Sequence, residues 1–193
     1  MESVAKVRFP LAKAEHVANE LRDLLESACI RIAIAGSIRR QRPDPADIEL
    51  LCVPKPCNEI LYTDALDEAV MGAPLDMRPN VKGRFTYGPL NKLMVVKGRF
   101  TYGPLNKLMV HRASGIPVDI FSTSVGNWGM SLMVRTGPKE WNVRFMARLL
   151  AQGMKGHAYG GITSATGQEI ECPDEGTVFR ALGWPYTPPE QRK

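Results

Sequence analysis

The segment Ile34 to Pro54, IAGSIRRQRPDPADIELLCVP, restricts the fold of this chain more than any other. A β-branched run, IRIAIAG, ends at Gly36-Ser37. A loop with two prolines and three arginines follows, and a second apolar run, DIELLCVP, begins a few residues later. Two strands joined by so short a connection are expected to be neighbours in one sheet. On an extended strand side chains alternate, so Asp47 and Glu49 project to one face while Ile48, Leu50 and Cys52 turn to the other. Two adjacent carboxylates repel unless a cation or a shared proton lies between them. The pair therefore marks either a divalent-metal site or a wet strand face.

The flanking sequence extends the sheet. Pro10 precedes LAKAEHVANELRDLLESA, where Leu11, Ala14, Val17, Leu21, Leu24, Leu25 and Ala28 recur at helical spacing, with His16 on the polar side. Residues 59–71 show the same spacing at Leu61, Ala65, Leu66 and Ala69. IPVDIFS reads as a strand carrying a third acid, Asp119, among apolar neighbours, where a carboxylate is costly unless its face is wet. Thr136-Gly137-Pro138 reads as a turn that places proline at the start of a helix with Trp141, Phe145, Leu149 and Leu150 inward. The final segment has hairpin signals at Gly160-Gly161 and Ser164 to Gly167. A short helix, DEGTVFRAL, closes at Gly183, and Trp184 and Tyr186 are expected to pack on it. These elements describe a small α+β lobe distinct from the three-acid lobe.

Residues 81–95, VKGRFTYGPLNKLMV, recur unchanged at 96–110. An identical tandem copy of this length is a recent or engineered duplication, not a solenoid, which needs several diverged units. Each copy has the pattern of a hairpin, GRFTY and NKLMV around Gly-Pro, and one copy is expected to fill the sheet while the other forms an extra hairpin, a loop or a strand-exchanged dimer. Tyr87 and Tyr102 alternate with basic residues, which suits base stacking and strand packing equally. The duplication also bears on charge. The formal charge is +5, and each copy contributes two lysines and one arginine with no acid, so a single-copy chain would carry +5 minus 3, or +2. Charge alone is therefore weak support for a nucleic-acid partner.

The 193 residues suffice for one domain or two small lobes. No run approaches the roughly 18 apolar residues of a membrane-spanning helix, and no membrane partner is expected. Cys29, Cys52, Cys57 and Cys172 lack metal-finger spacing, which favours a reduced, cytosolic setting, with Cys52 a core residue. His111 and Arg112 are expected to be turn residues.

A glycine-serine turn exposes backbone amides and a hydroxyl, and Arg39 and Arg40 add guanidinium forks that match phosphate oxygens. With a paired acid on the next strand and a third acid on a distant one, these parts suit metal-assisted phosphoryl or nucleotidyl transfer. The order GSIRR, DIE, VDIF, TG before a helix containing Asn142, and the tail LGWPYTPPEQR resembles the catalytic half of the DNA polymerase X family, within the polymerase beta-like nucleotidyltransferases. The resemblance runs from the helix after Pro10 to the end of the chain and is similar in extent to the minimal two-lobe viral members, without the lyase and helix-hairpin-helix lobes of longer ones.

The resemblance implies an α+β fold: a nucleotidyltransferase palm over 1–133, with a mixed β-sheet and helices on one side, followed by a small thumb-like lobe over 134–193. It implies that Asp47, Glu49 and Asp119 are catalytic and hold two Mg2+ ions, with Mn2+ as a substitute. Gly36, Ser37 and Arg40 would bind the triphosphate, Thr136 and Gly137 would lie beside the sugar, and Asn142 would reach the base edge. The implied partners are a nucleoside triphosphate and a nucleic acid, a DNA primer-template or gap. The implied reaction adds a nucleoside monophosphate to a 3'-hydroxyl and releases pyrophosphate. The alternatives are a binding module with little or no turnover, and the same chemistry on an acceptor other than DNA. The chain departs from the family pattern at Glu49, where an aspartate is usual, at Arg135 in place of an aromatic, and at Pro138-Lys139.

Overall fold

The structure, a computed structural model, describes residues 6–56, 65–80, 106–157 and 161–193. Leu61, the first repeat copy, Tyr87, Tyr102, Cys57 and Gly160 lie outside them. Pro10 caps helix α1 (Leu11–Glu26), whose Ala14, Val17, Ala18, Leu21 and Leu25 are buried while His16 is exposed. Strand β1 (Cys29–Ile34) leads into a single helical turn, α2 (Gly36–Arg39), and strand β2 (Ile48–Pro54) returns antiparallel to β1. Helix α3 (Ala65–Gly72) buries Leu66 and Val70 and is followed by β3 (Leu75–Met77), β4 (Asn106–His111) and β5 (Pro117–Ser122).

These five strands form one sheet in the order β1-β2-β5-β4-β3. The β2–β5 pair is parallel and the others antiparallel, so the sheet is mixed. β1 is an edge strand, not the fully buried one that its composition suggests, and Ile30 is 57% exposed. An edge strand has a neighbour on one side alone, so a β-branched run does not by itself imply burial. β4 is the NKLMV of the second repeat copy plus His111.

The alternation expected of β2 holds. Ile48, Leu50 and Cys52 join α1 and α3 in one core, with Val118 and Ile120 of β5. Leu51 and Val53 face the other way, and that face is also covered, by Trp128 and Leu132 of helix α4 (Trp128–Thr136) with Phe121 and Ala35. Helix α4 has no counterpart in the sequence reading above. Its WGMSLMV is buried nearly all round, so it lacks the polar stripe by which an amphipathic helix shows itself.

Helix α5 (Lys139–Ala151) buries Trp141, Phe145 and Leu149, but Leu150 is 68% exposed and is not a core residue. One position past Leu149 turns by about 100° around a helix of 3.6 residues per turn, which carries Leu150 out to solvent. Pro138 is the cap of this helix rather than its first residue, after a cis Gly137-Pro138 bond. A small antiparallel sheet of β6 (Lys155–His157), β7 (Gly161–Thr163) and β8 (Glu169–Ile170) follows, in that order. Helix α6 (Glu175–Leu182) is capped by Asp174, which accepts from the Thr177 N–H at 2.7 Å, and ends at Gly183 in the left-handed region. A second core unites Met130 and Met133 of α4 with Trp141, Phe145, Ile162, Val178 and Phe179. Trp184 and Tyr186 pack edge-on against Trp141 and Phe179. Helix α4 thus contributes both to this core and to the one on the Leu51–Val53 face of β2. Gly129 makes this possible, because a Cβ there would lie 2.0 Å from the Asp174 carbonyl oxygen.

Candidate functional site

The parallel β2–β5 pairing sets Glu49 directly opposite Asp119, residues 70 positions apart in sequence. Asp47 stands one residue before β2 begins. Strand register thereby gathers the three acids at one end of the sheet. Their mutual effect is visible in their protonation. Burial, reinforced by the charges of Asp47 and Asp119, pushes the Glu49 carboxyl up from 4.5 to about 8, against the pull of Arg135 and Arg40. Burial also raises Asp119, with Arg78 opposing it and Asp47 adding to it.

The side chains do not converge on a common point. Asp47 pairs with Lys6 Nζ at 3.4 Å, and Asp119 Oδ1 accepts from Arg78 Nη2. Glu49 turns toward α2, where a Cβ on Gly36 would lie 1.9 Å from its Oε2. Among the described residues, no three His, Cys, Asp or Glu side chains are gathered to hold a metal ion. The donor chemistry nevertheless fits one. Three carboxylates from one sheet end are the oxygen donors that magnesium prefers, and burial makes the charged form of two of them, Glu49 and Asp119, costly without a cation.

A cavity of about 610 Å3 opens beside Glu49. Its wall includes Arg40 from the turn after α2, Arg135, Thr136 and Gly137 from the end of α4, and Lys139 and Asn142 from the start of α5. Five of the residues singled out from sequence, Arg40, Glu49, Thr136, Gly137 and Asn142, therefore meet in one place. Ser37 and Asp119 are not in its wall, and Asp47 lines a separate, smaller cavity. With Arg40, Arg135 and Lys139 against Glu49 alone, the large cavity favours an anion.

Local folding explains how these side chains are held. Gly36 has φ +64°, a value glycine adopts without strain, and this lets the chain turn sharply from β1 into α2. Arg40 then reaches across to donate through Nη1 to the Thr136 carbonyl. Burial lowers its pKa while Glu49 opposes the shift. Gly137, at φ +64°, ends α4 within 3.3 Å of Arg40 Nη1 by its would-be Cβ, and Asn142 Nδ2 donates to the Val134 carbonyl at 2.8 Å. Among the described residues, Arg40 Nε and Asn142 Oδ1 in this wall, and Ser37 Oγ outside it, are buried without a hydrogen-bond partner. Such atoms are costly to bury and are the natural contacts of a polar ligand.

Arg39 has a different task. It does not face the cavity as a second phosphate fork. Its guanidinium donates to both oxygens of Glu175 at 2.9 and 2.8 Å and to Thr136 Oγ1 at 2.7 Å. Glu175 Oε1 also accepts from the fully buried Arg192 at 2.8 Å. Burial would raise the Glu175 carboxyl, but the hydrogen bonds from Arg39 and Arg192 prevail and hold it below its ordinary value. No sequence signal links residue 39 to residues 175 and 192, because the three meet through packing alone. Arg78 was likewise invisible in the sequence.

His111 closes β4 rather than entering the site, with Nδ1 2.8 Å from Ser114 Oγ, and Arg112 pairs with Asp76. Cys52 is buried in the core.

Comparison with known proteins bears on the fold. Residues 131–193 match the DNA polymerase beta thumb family. The whole chain superposes on the crystal structure of Leishmania infantum polymerase beta in a ternary P/T complex with a TM-score of 0.69 and 19% sequence identity, covering 100% of this chain and 84% of that one. Its fold is family X polymerase-like. The ternary gap complex of the same Leishmania enzyme gives the same TM-score and identity over 96% of this chain and 71% of that one. No curated protein sequence matches the chain. The family X-like fold is a mixed sheet with its helices, and the thumb match begins within α4, the helix shared by the two cores.

Proposed function

We propose that this chain is a metal-dependent nucleotidyltransferase that transfers a nucleoside monophosphate from a nucleoside triphosphate to a 3'-hydroxyl, on a DNA primer-template or gap, with pyrophosphate released. One observation carries the reading. A single cavity joins Arg40 and Glu49 with Thr136, Gly137 and Asn142, two groups far apart in sequence that follow the order of the family X motifs, with Glu49 at a position where that family usually has aspartate. The Leishmania enzyme in the two similar structures is held in primer-template and gap complexes, which supports nucleic acid as the acceptor.

In this reading Arg40 and Ser37 bind the β and γ phosphates, and the uncommitted Ser37 Oγ and Arg40 Nε have hydrogen-bonding capacity for oxygen acceptors. Gly137 leaves the wall beside the sugar without a side chain, and Asn142 presents its free Oδ1 to a donor on the base. Asp47, Glu49 and Asp119 would hold two divalent ions, magnesium by preference, whose chemistry there is to stabilise charge on the transferring phosphoryl group and the departing pyrophosphate. Asp119, on β5, takes the proton from the attacking hydroxyl.

The engagement of Asp47 by Lys6 and Asp119 by Arg78 favours a second reading, a nucleotide-binding module with little turnover. Primer extension in Mg2+ or Mn2+ separates the two. Extension by the wild type and its loss in Asp119→Asn supports the transferase. Nucleotide binding without extension supports the module, and extension that survives the substitution overturns the site.

A further inference from the structure

The three acids stand at one sheet end, yet Asp47 and Asp119 are each turned to a cationic partner, and the two partners differ in how firmly they are held. Lys6 is an exposed side chain reaching over Asp47. Arg78 is anchored. Its backbone N–H donates to the Leu108 carbonyl at 2.9 Å, its Nε donates to the Met109 carbonyl at 3.0 Å, and its Nη2 donates to Asp119 Oδ1. Two bonds to β4 thus aim the guanidinium at the acid on the neighbouring strand. The side chains of Arg78 and Asp119 are 28% and 19% exposed, so the pair is only partly screened by water.

We propose that Arg78 is a built-in competitor for the divalent cation at Asp119: a positioning residue that occupies the third carboxylate until a metal ion displaces it. The proposal rests on the reading of Asp119 as a metal ligand. A carboxylate oxygen that accepts from a guanidinium has less capacity to coordinate an ion, and two cations on one carboxylate repel each other. Arginine stays charged at any working pH, so proton loss cannot release Asp119 as it can from a lysine. The same contact accounts for the failure of the three acids to gather, since Asp119 is drawn toward β4 while Glu49 turns to Gly36. A displaced guanidinium has somewhere to go. Arg78 lines a cavity of about 290 Å3 that also contains Lys6, Phe9, Asp47 and Pro117, beside rather than inside the triphosphate cavity.

A strut that merely ties β3 to β5 predicts the opposite outcome from a competitor. Removing a strut loosens Asp119 and weakens metal binding, whereas removing a competitor strengthens it. The test is Mn2+ binding to the full chain without nucleotide, read by electron paramagnetic resonance or calorimetry, for the wild type, Arg78→Gln and Arg78→Lys. Arg78→Gln should bind Mn2+ about three- to tenfold more tightly, the range expected for a partly exposed charged hydrogen bond. Arg78→Lys, which keeps the charge but cannot make both contacts, should show a smaller gain. The gain should vanish when Asp119→Asn is added, and thermal melting should show each variant folded. Unchanged or weaker binding by folded Arg78→Gln, with the wild type binding Mn2+ normally, overturns the proposal and leaves the metal reading intact. Should Arg78→Gln fail to fold, Arg78→Lys decides by the same criterion. Absence of Mn2+ binding in every variant and in the wild type overturns both.

Discussion

Glu49 carries the tension of the site. Its carboxyl is pushed up to about 8, so the folded state holds a proton that the unfolded chain, with a value near 4.5, releases earlier. The stability this contributes is full below the ordinary carboxylate range and is lost as pH rises toward 8. The metal-free protein should therefore lose stability between about pH 5 and 8, and Glu49→Gln should flatten that decline in melting curves recorded across the range. Glu49 also explains why residue 36 is glycine. Alanine there would meet Glu49 Oε2 and would sit at φ +64°, so Gly36→Ala should cost at least about 1–2 kcal/mol in urea unfolding. Adding Glu49→Asp should recover the part due to the clash and leave the backbone strain.

The short turn α2 is too small to hold its own position, and other elements fix it. Arg39 joins it to Glu175 at the start of α6 and to Thr136 at the end of α4, while Arg192 closes the network from the tail. Its two arginines therefore divide the work, Arg39 facing the latch and Arg40 the cavity. Breaking a buried pair leaves the other charges uncompensated, typically at about 3–5 kcal/mol, so Glu175→Gln should destabilise strongly. A double-mutant cycle with Arg39→Met, measured by denaturant unfolding, should show a coupling well above the several tenths expected of independent sites. Because Glu175 is held below its ordinary value, the latch contributes above the normal carboxylate range and is lost as pH falls through the lowered value.

Across the whole molecule, the duplication tests how the sheet is filled. β4 comes from the second copy, and deleting 81–95 leaves that copy and its join to His111 intact. The deleted chain should melt in one cooperative transition, and loss of that cooperativity would sink the idea that one copy suffices. Two cores share α4, so the palm-like sheet and the thumb-like region should also unfold together rather than as separate transitions, which calorimetry can check.

Local patterns were enough to reveal α1, β1, β2, β5, α5 and α6, because periodicity, caps and turn glycines act within a few residues of one another. Arg40, Glu49 and the Thr136-Gly137 turn were marked by their own turn or strand, whereas Asn142, inside α5, was singled out by the family resemblance alone. What depended on long-range packing was not legible. Helix α4 is buried on both sides and shows no stripe; the edge position of β1 depends on strand order; Leu150 depends on which arc of α5 meets the core. The partners of the charged groups were the least legible of all. That Arg39 serves Glu175, that Arg78 serves Asp119, and that the three acids point apart are results of tertiary structure, since an ion pair forms wherever the folded backbone brings charges together, regardless of their distance along the chain.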